Sequence, residues 1–549
     1  MMLGRVHLVS AVFILLSASM MVRLWYLQIL EKDFLQDQGD ARTIRMERIN
    51  AHRGIIQDRS GKPLAVSTPV LSLWANPGEL LSADTSLTPL TDYLNVDSDV
   101  FKARLMNAKS KNFVYLRRHL PPAEARGILA LKIPGVYAER EYHRFYPAGE
   151  VTSHLVGFTD IDDKGQEGLE LSFDKWLAGT PGKKKVLKNL YGEIIGDIKP
   201  VAEAEPGNTL TLGIDLRLQY LAYRELKSAV AHFRAESGSV VVLDVQTGQV
   251  LAMVNQPSYN PNNRVGLDLN AVRNRALTDV FEPGSTVKPF TVAVALSSGR
   301  YLPESTVDTT PGFVRVGSFT IRDPRDRGVI TLSDIIRLSS QVGISKLALD
   351  LNEYEVRGLF EALGFGRDAA SGFPGESTGY LPNHRRWKDI DRATFAYGYG
   401  LTVTPVQLAA SYLTIASGGV KREISLIEGL ESASTRIYSK EVADQLKQML
   451  ARVVTDGTAK KASIPGYNAA GKTGTVRKIG ASGYQDTEHM AIFAGLAPVE
   501  KPRLVTVVLI NEPKTKEYGG GDIAAPVFSR VMHSALRILN VPPKPGGAA

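Results

Sequence analysis

The feature that most limits the architecture of this chain is an apolar run close to its amino terminus. Leu8 to Val22 carries no charge, and Leu24 to Leu30 continues the pattern beyond Arg23. Together they supply the ~20 residues that a helix needs to cross a bilayer. Arg23, Trp25 and Tyr26 then fall at the far interface, where an Arg head group snorkels and aromatic rings are favoured. The flanking charges are nearly balanced, with Arg5 on one side and Arg23 and Lys32 on the other. The long body that follows decides the orientation: a short cytoplasmic start, one helix within residues 1–30, and an exported remainder. A cleaved signal peptide, with Leu8 to Leu16 as its apolar region and Ser17-Ala18-Ser19 as its cleavage site, is the competing reading. The continuation to Leu30 favours a retained anchor.

The composition is that of a folded protein, 44% hydrophobic and 22% charged, which excludes disordered and all-membrane chains. A length of 549 residues leaves room for about three domains. The net charge of +8 comes from 65 Lys and Arg against 57 Asp and Glu, mostly interspersed. The one compact basic run, Lys183-Lys184-Lys185 with Lys188, lies in a Gly-rich stretch and reads as a solvated loop, so no nucleic-acid partner is expected. A mildly basic surface suits an anionic membrane or cell-wall polymer. The chain has no Cys, which removes disulfides, thiolate catalysis and Cys-type zinc sites. Its His residues show no HExxH-like spacing, and neither metal nor cofactor is expected.

From residue 31 to 206 the pattern is mixed. Ala65 to Ala75 alternates as a strand, while Phe101 to Ala108 and Pro122 to Leu131 read as amphipathic helices. The turn-rich Glu203 to Asn208 marks a boundary. Beyond it, Asp215 caps a helix over Leu216 to Phe233, and Ser239 to Asp244 with Val250 to Val254 form a hairpin. Met490 to Leu496 and Leu504 to Leu509 are two further strands, and Ala525 to Leu539 is a terminal helix. Strands at both ends with helices between predict an α+β domain whose sheet joins distant segments. The tail Pro542 to Ala549 is expected to be disordered.

Three short motifs carry the chemistry. In Ser285-Thr286-Val287-Lys288, a helix starting at Ser285 after Pro283-Gly284 puts the Lys amine on the same face as the Ser hydroxyl. A serine needs an adjacent base to give up its proton, and a lysine serves only if burial or a nearby cation depresses its pKa. The second motif is Ser339-Ser340-Gln341, after the helical Leu332 to Leu338. The third is Lys472-Thr473-Gly474-Thr475, whose small residues let a strand edge lie against a substrate backbone while the lysine and hydroxyls hold a carboxylate. Each triplet alone is more often an ordinary helix start or surface turn. The three in this order are a far stronger signal.

With these motifs the chain resembles the penicillin-recognising serine enzymes. Asn274 to Phe290, Tyr397-Gly398-Tyr399-Gly400 with Val403-Thr404-Pro405, and Gly471 to Val476 resemble the division-specific class B penicillin-binding proteins. So do Arg53 to Gly61, Arg144 to Gly149, and Gly168-Leu169-Glu170 with Phe173-Asp174 in the first half. The resemblance implies an α+β transpeptidase domain (207–541) with a central antiparallel sheet flanked by helices, an elongated pedestal module (31–206) and an inner-membrane anchor, with the bulk in the periplasm. It implies Ser285 as acylated nucleophile, Lys288 as its base and Ser339 as proton relay. Lys472, Thr473 and Thr475 would bind the substrate carboxylate, beside Gly474 and Gln341, and the N–H groups of Ser285 and Thr475 would form the oxyanion hole. The expected substrates are peptidoglycan stem peptides, the inhibitors β-lactam antibiotics, and the partners division-complex membrane proteins, including a polytopic glycan polymerase.

Two departures qualify the resemblance. The family's second triplet normally ends in Asn; Gln341 adds a methylene and displaces the amide by about 1.5 Å unless the backbone shifts. Tyr518-Gly519-Gly520-Gly521 lacks the second aromatic that relatives carry before the glycines, which is expected to thin one wall of the site. A β-lactamase would deacylate with water, a D,D-carboxypeptidase would release D-Ala without cross-links, and a non-catalytic division scaffold would leave the site vestigial. Intact Ser285, Lys288, Ser339 and Lys472 argue against the last.

Overall fold

A computed structural model describes residues 2–83, 85–188, 194–369, 371–430, 433–480 and 483–544. The apolar amino terminus forms an exposed α-helix, Met2–Trp25, continued by a π-helical turn, Tyr26–Leu30. Gly4–Leu30, which contains an 18-residue stretch with a mean hydropathy of 1.9, is long and apolar enough to cross a membrane, consistent with a single-pass anchor or a signal.

The rest of the chain forms two compact units whose segments interleave. One gathers Met1–Arg53, Pro69–Tyr142 and Ala178–Asn208. Its core packs Leu73, Leu80, Leu90, Leu94, Phe101 and Leu105 beneath the helices Ser98–Asn107 and Pro122–Leu129. Glu141, which accepts from Arg118 Nε at 3.1 Å and from the Ser72 hydroxyl, is held below the usual carboxylate range by these partners against the cost of burial. The basic run is no loop. Gly182–Lys188 is a strand that pairs antiparallel with Ile44–Ile49, Val186 buried and Lys183 and Lys185 exposed. Alternation over seven residues, four of them lysine, hides the period that marks a strand.

The other unit gathers Gly54–Thr68, His143–Leu177 and Thr209–Ala549. Its five-stranded antiparallel sheet is built from β1 (Ser237–Asp244), β2 (Val250–Gln256), β3 (Ala470–Gly480), β4 (Gly483–Ala497) and β5 (Leu504–Asn511), in the order β2-β1-β5-β4-β3. β1 and β5 are buried along their whole length. Continuous apolar runs rather than alternation are what a sheet covered on both faces requires. The helices Leu216–His232 and Ala524–Ile538 pack on this sheet, as does Pro405–Ala416, whose capping box joins Thr404 and Gln407. The expected cap at Asp215 is present, its carboxylate accepting from Arg217 N at 3.0 Å.

The segments from the first half tie into this unit through polar contacts. Asp58 accepts from Ser60 N, Lys62 N and Leu216 N, and buried Arg144 donates to buried Glu170 at 2.6 Å. The edge of β2 is covered by Gln219, which donates to Met253 O and accepts from Met253 N, both at 2.8 Å. Such a cap blunts an edge that would otherwise recruit another strand. The opposite edge, β3, carries the Lys-Thr-Gly motif. Residues 545–549 of the expected disordered tail lie outside the described residues, while Lys544 N donates to Gly466 O at 2.8 Å.

Candidate active site

Ser285 sits on a 3-10 turn, Gly284–Val287, that runs directly into the helix α1, Lys288–Ser297. The turn is fixed from several sides. Thr286 Oγ1 donates to Pro283 O at 2.6 Å, and Tyr412 Oη, from the buried helix Pro405–Ala416, donates to Thr286 O at 2.7 Å. Gly284 N donates to Gly398 O, Gly400 N donates to Glu282 Oε1, and Phe281 pairs with Val403. The Tyr-Gly-Tyr-Gly segment therefore braces the Ser285 turn. Gly398 has φ +90, and a Cβ there would lie 2.2 Å from Gly284 O, so no side chain fits.

Lys288 is fully buried. Its Nζ donates to Ser339 O at 2.7 Å, to Ser340 O at 3.2 Å and to Ser339 Oγ at 3.3 Å. Ser339 ends α2, Leu332–Leu338, in the left-handed conformation with φ 58, and Ser340 caps α3, Gln341–Asp350, by accepting from Gly343 N at 2.9 Å. From β3, the equally buried Lys472 donates to Ser339 Oγ at 2.9 Å and to Thr473 O at 3.2 Å. Ser339 Oγ thus stands between two buried amines.

Burial, followed by the charge of Lys472, holds the Lys288 amine well below the ordinary lysine range, with Asp323 opposing. Burial alone lowers Lys472 to about 7. Two buried cations this close repel each other, so the Lys288 amine, lowered by both burial and its neighbour, is the one suited to act as a base.

The other expected residues gather along β3. Gly474 faces the serine turn: a Cβ there would lie 3.0 Å from Thr286 Cγ2 and 3.2 Å from Pro283 O. Thr473 Oγ1 lies 3.0 Å from Thr458 Oγ1, and exposed Thr475 accepts from Gly520 N at 3.0 Å. Gln341 is the first residue of α3, half-buried, with its backbone N–H donating to Asp323 Oδ1 at 2.6 Å. That bond fixes the backbone, so the extra methylene of Gln is carried by the side chain. At the wall beside Tyr518, the His489 ring from β4 stacks on Tyr518, centroids 4.5 Å apart. Asp323, Glu282, Thr458 and Tyr412 escaped sequence reasoning. Asp323 precedes Pro324 and reads as a turn residue, and only its burial distinguishes it.

The model of the penicillin binding protein transpeptidase domain matches residues 238–533, and that of the penicillin-binding protein dimerisation domain matches residues 48–212. Peptidoglycan D,D-transpeptidase FtsI of Escherichia coli is 42% identical over 98% of this chain and 92% of its own. The probable peptidoglycan D,D-transpeptidase PbpC of Pseudomonas aeruginosa is 41% identical over 98% of this chain and 96% of its own. Penicillin binding protein 3 of Mycobacterium tuberculosis, complexed with aztreonam, superposes with a TM-score of 0.71 at 26% identity, covering 92% of this chain and all of that one. The chain belongs to the class B penicillin-binding proteins, as a peptidoglycan D,D-transpeptidase of the FtsI and penicillin-binding protein 3 type.

Proposed function

We propose that Ser285 is the nucleophile of a two-step acyl transfer with Lys288 as its base, and that the chain uses it to cross-link stem peptides at the division septum. The observation that supports this best is Ser339 Oγ, 2.9 Å from Lys472 Nζ and 3.3 Å from Lys288 Nζ. In the first half-reaction neutral Lys288 takes the Ser285 proton as Oγ bonds to the carbonyl carbon of the penultimate D-Ala. The C–N bond to the terminal D-Ala breaks, and the leaving amine receives its proton from Lys288 through the Ser339 hydroxyl. In the second, an amine of a neighbouring stem loses its proton by the reverse route to Lys288 and attacks the ester carbon; the C–Oγ bond breaks, and Ser285 Oγ recovers its proton from Lys288. N–H groups of Ser285 and Thr475 would stabilise the oxyanion, which typically contributes a few kcal/mol. Lys472, Thr473 and Thr475 would hold the donor carboxylate, with the donor lying along the β3 edge beside Gly474.

A β-lactam carbonyl would take the donor's position and remain attached to Ser285. Residues 207–541 perform this chemistry in the periplasm, carried by the pedestal (31–206) and an inner-membrane anchor (1–30). Pedestal and anchor meet division-complex membrane proteins, including a polytopic glycan polymerase, a reading supported by family membership. Incubating the full chain with a D-Ala-D-Ala donor peptide and an amine acceptor tests the reaction: a cross-linked product is expected. D-Ala release without that product would make the enzyme a carboxypeptidase.

A further inference from the structure

The Ser-Ser-Gln turn is held by a residue that no motif names. Asp323 follows the short strand Phe319–Arg322 and is 9% exposed. Its Oδ2 accepts from the Ser340 hydroxyl at 2.5 Å, and its Oδ1 accepts from Gln341 N at 2.6 Å and from Val342 N at 3.4 Å. A carboxylate on the free N–H groups of a helix start makes charge-assisted hydrogen bonds and complements the helix dipole. Here it comes from a preceding hairpin, while Ser340 fills the cap position itself.

The consequence falls on Ser339. Its left-handed backbone is unfavourable for a residue with a Cβ, so neighbouring contacts must impose it. Lys288 grips the carbonyls of Ser339 and Ser340 on one side, and Asp323 grips Ser340 and Gln341 on the other. Among the described residues, the charged side chains in hydrogen-bond contact with the turn are Lys288 from α1, Lys472 from β3 and Asp323, whose anion favours the protonated form of Lys288.

We propose that Asp323 is a positioning residue for the acyl transfer: it clamps the Ser340–Gln341 turn so that Ser339 Oγ stays between Lys288 and Lys472, and its charge offsets that of Lys288. The proposal rests on Ser285 as nucleophile. It is tested by acylating the full-length wild type, Asp323→Asn and Ser340→Ala with a fluorescent penicillin across a range of pH, with intact mass giving the stoichiometry. Asp323→Asn is expected to reach the wild-type stoichiometry at least about tenfold more slowly. Its rate–pH curve moves to lower pH, because loss of the anion leaves the Lys288 proton less favoured. Ser340→Ala loosens the clamp but keeps the charge, so it slows acylation with the curve in place. A wild-type rate in Asp323→Asn, or a slower rate with an unmoved curve, overturns the proposal, the latter because a merely structural residue would do the same. If Asp323→Asn does not fold, a wild-type rate in Ser340→Ala overturns it instead. Absence of any adduct on the wild type would contradict the underlying assignment of Ser285, a separate result.

Discussion

Lys288 Nζ donates to the carbonyl oxygen of Ser339 at 2.7 Å, which joins the end of one motif to the start of the next across 51 residues. Through this bond the base and the proposed relay hold one another in place. Substitution at either end should therefore disturb the other.

Ser339→Ala removes the hydroxyl between the two amines. Acylation by penicillin should slow by roughly 10²-fold or more, the scale of a lost proton-transfer group. The adduct should still form at one site. A second-order rate constant from stopped-flow fluorescence checks this, and a rate within a few-fold of wild type would remove Ser339 from the proton path.

Lys472→Met removes the cation that helps to depress Lys288. The base must be neutral, so acylation rises with pH through its apparent pKa. Without Lys472 that pKa moves up, and the acid limb of the rate–pH profile moves to higher pH. Measuring acylation of the variant across pH tests the sign, and a limb displaced to lower pH would contradict the coupling.

The same lysine costs stability. Its folded value of about 7 lies below its unfolded value of about 10.4, so between these pH values the unfolded chain binds more protons. Stability contributed by this group therefore rises with pH across that window and is lost as pH falls through it. Lys472→Met should raise the midpoint of denaturant unfolding at neutral pH and flatten its dependence on alkaline pH. An unfolding midpoint lowered by the substitution would count against a strained, desolvated lysine.

Much of this arrangement is legible in the sequence, and the limits are physical. The helix cap at Asp215, the strands around Val240, Ile492 and Val507, and a helix leaving Ser285 all follow from local signals. The pairing of β1 with β5, which joins Val240 to Val508, follows from the sequence only as a sheet between distant segments. Periodicity fixes which face a residue presents, not which strand lies beside it. For the same reason the interleaving of Gly54–Thr68 and His143–Leu177 with the catalytic unit has no local signature. Asp323 is invisible because a buried acceptor for two backbone N–H groups looks, in one dimension, like any Asp before Pro.

Gln341→Asn restores the shorter amide at a backbone position pinned by Asp323. Relative acylation rates over several β-lactams should change, by about tenfold for each 1.36 kcal/mol of altered contact. An unchanged profile would show that the amide at this position does not reach the reacting groups.

Gly398→Ala would drive a Cβ to within 2.2 Å of Gly284 O at φ +90. Stability should fall by roughly 1–3 kcal/mol, with acylation reduced further as the Ser285 turn is displaced. Thermal unfolding and acylation rate measured on the same preparation separate the two effects. A variant with wild-type values for both would mean that the Tyr-Gly-Tyr-Gly segment does not brace the turn.

The most direct test of Ser285 activated within a two-lysine pocket is intact-protein mass after incubation with a penicillin, comparing wild type with Ser285→Ala and locating the adduct by peptide mapping. The expected result is a stable, stoichiometric adduct on the peptide containing Ser285, absent from the variant. A folded wild type with no adduct, or an adduct that persists in Ser285→Ala, would contradict it.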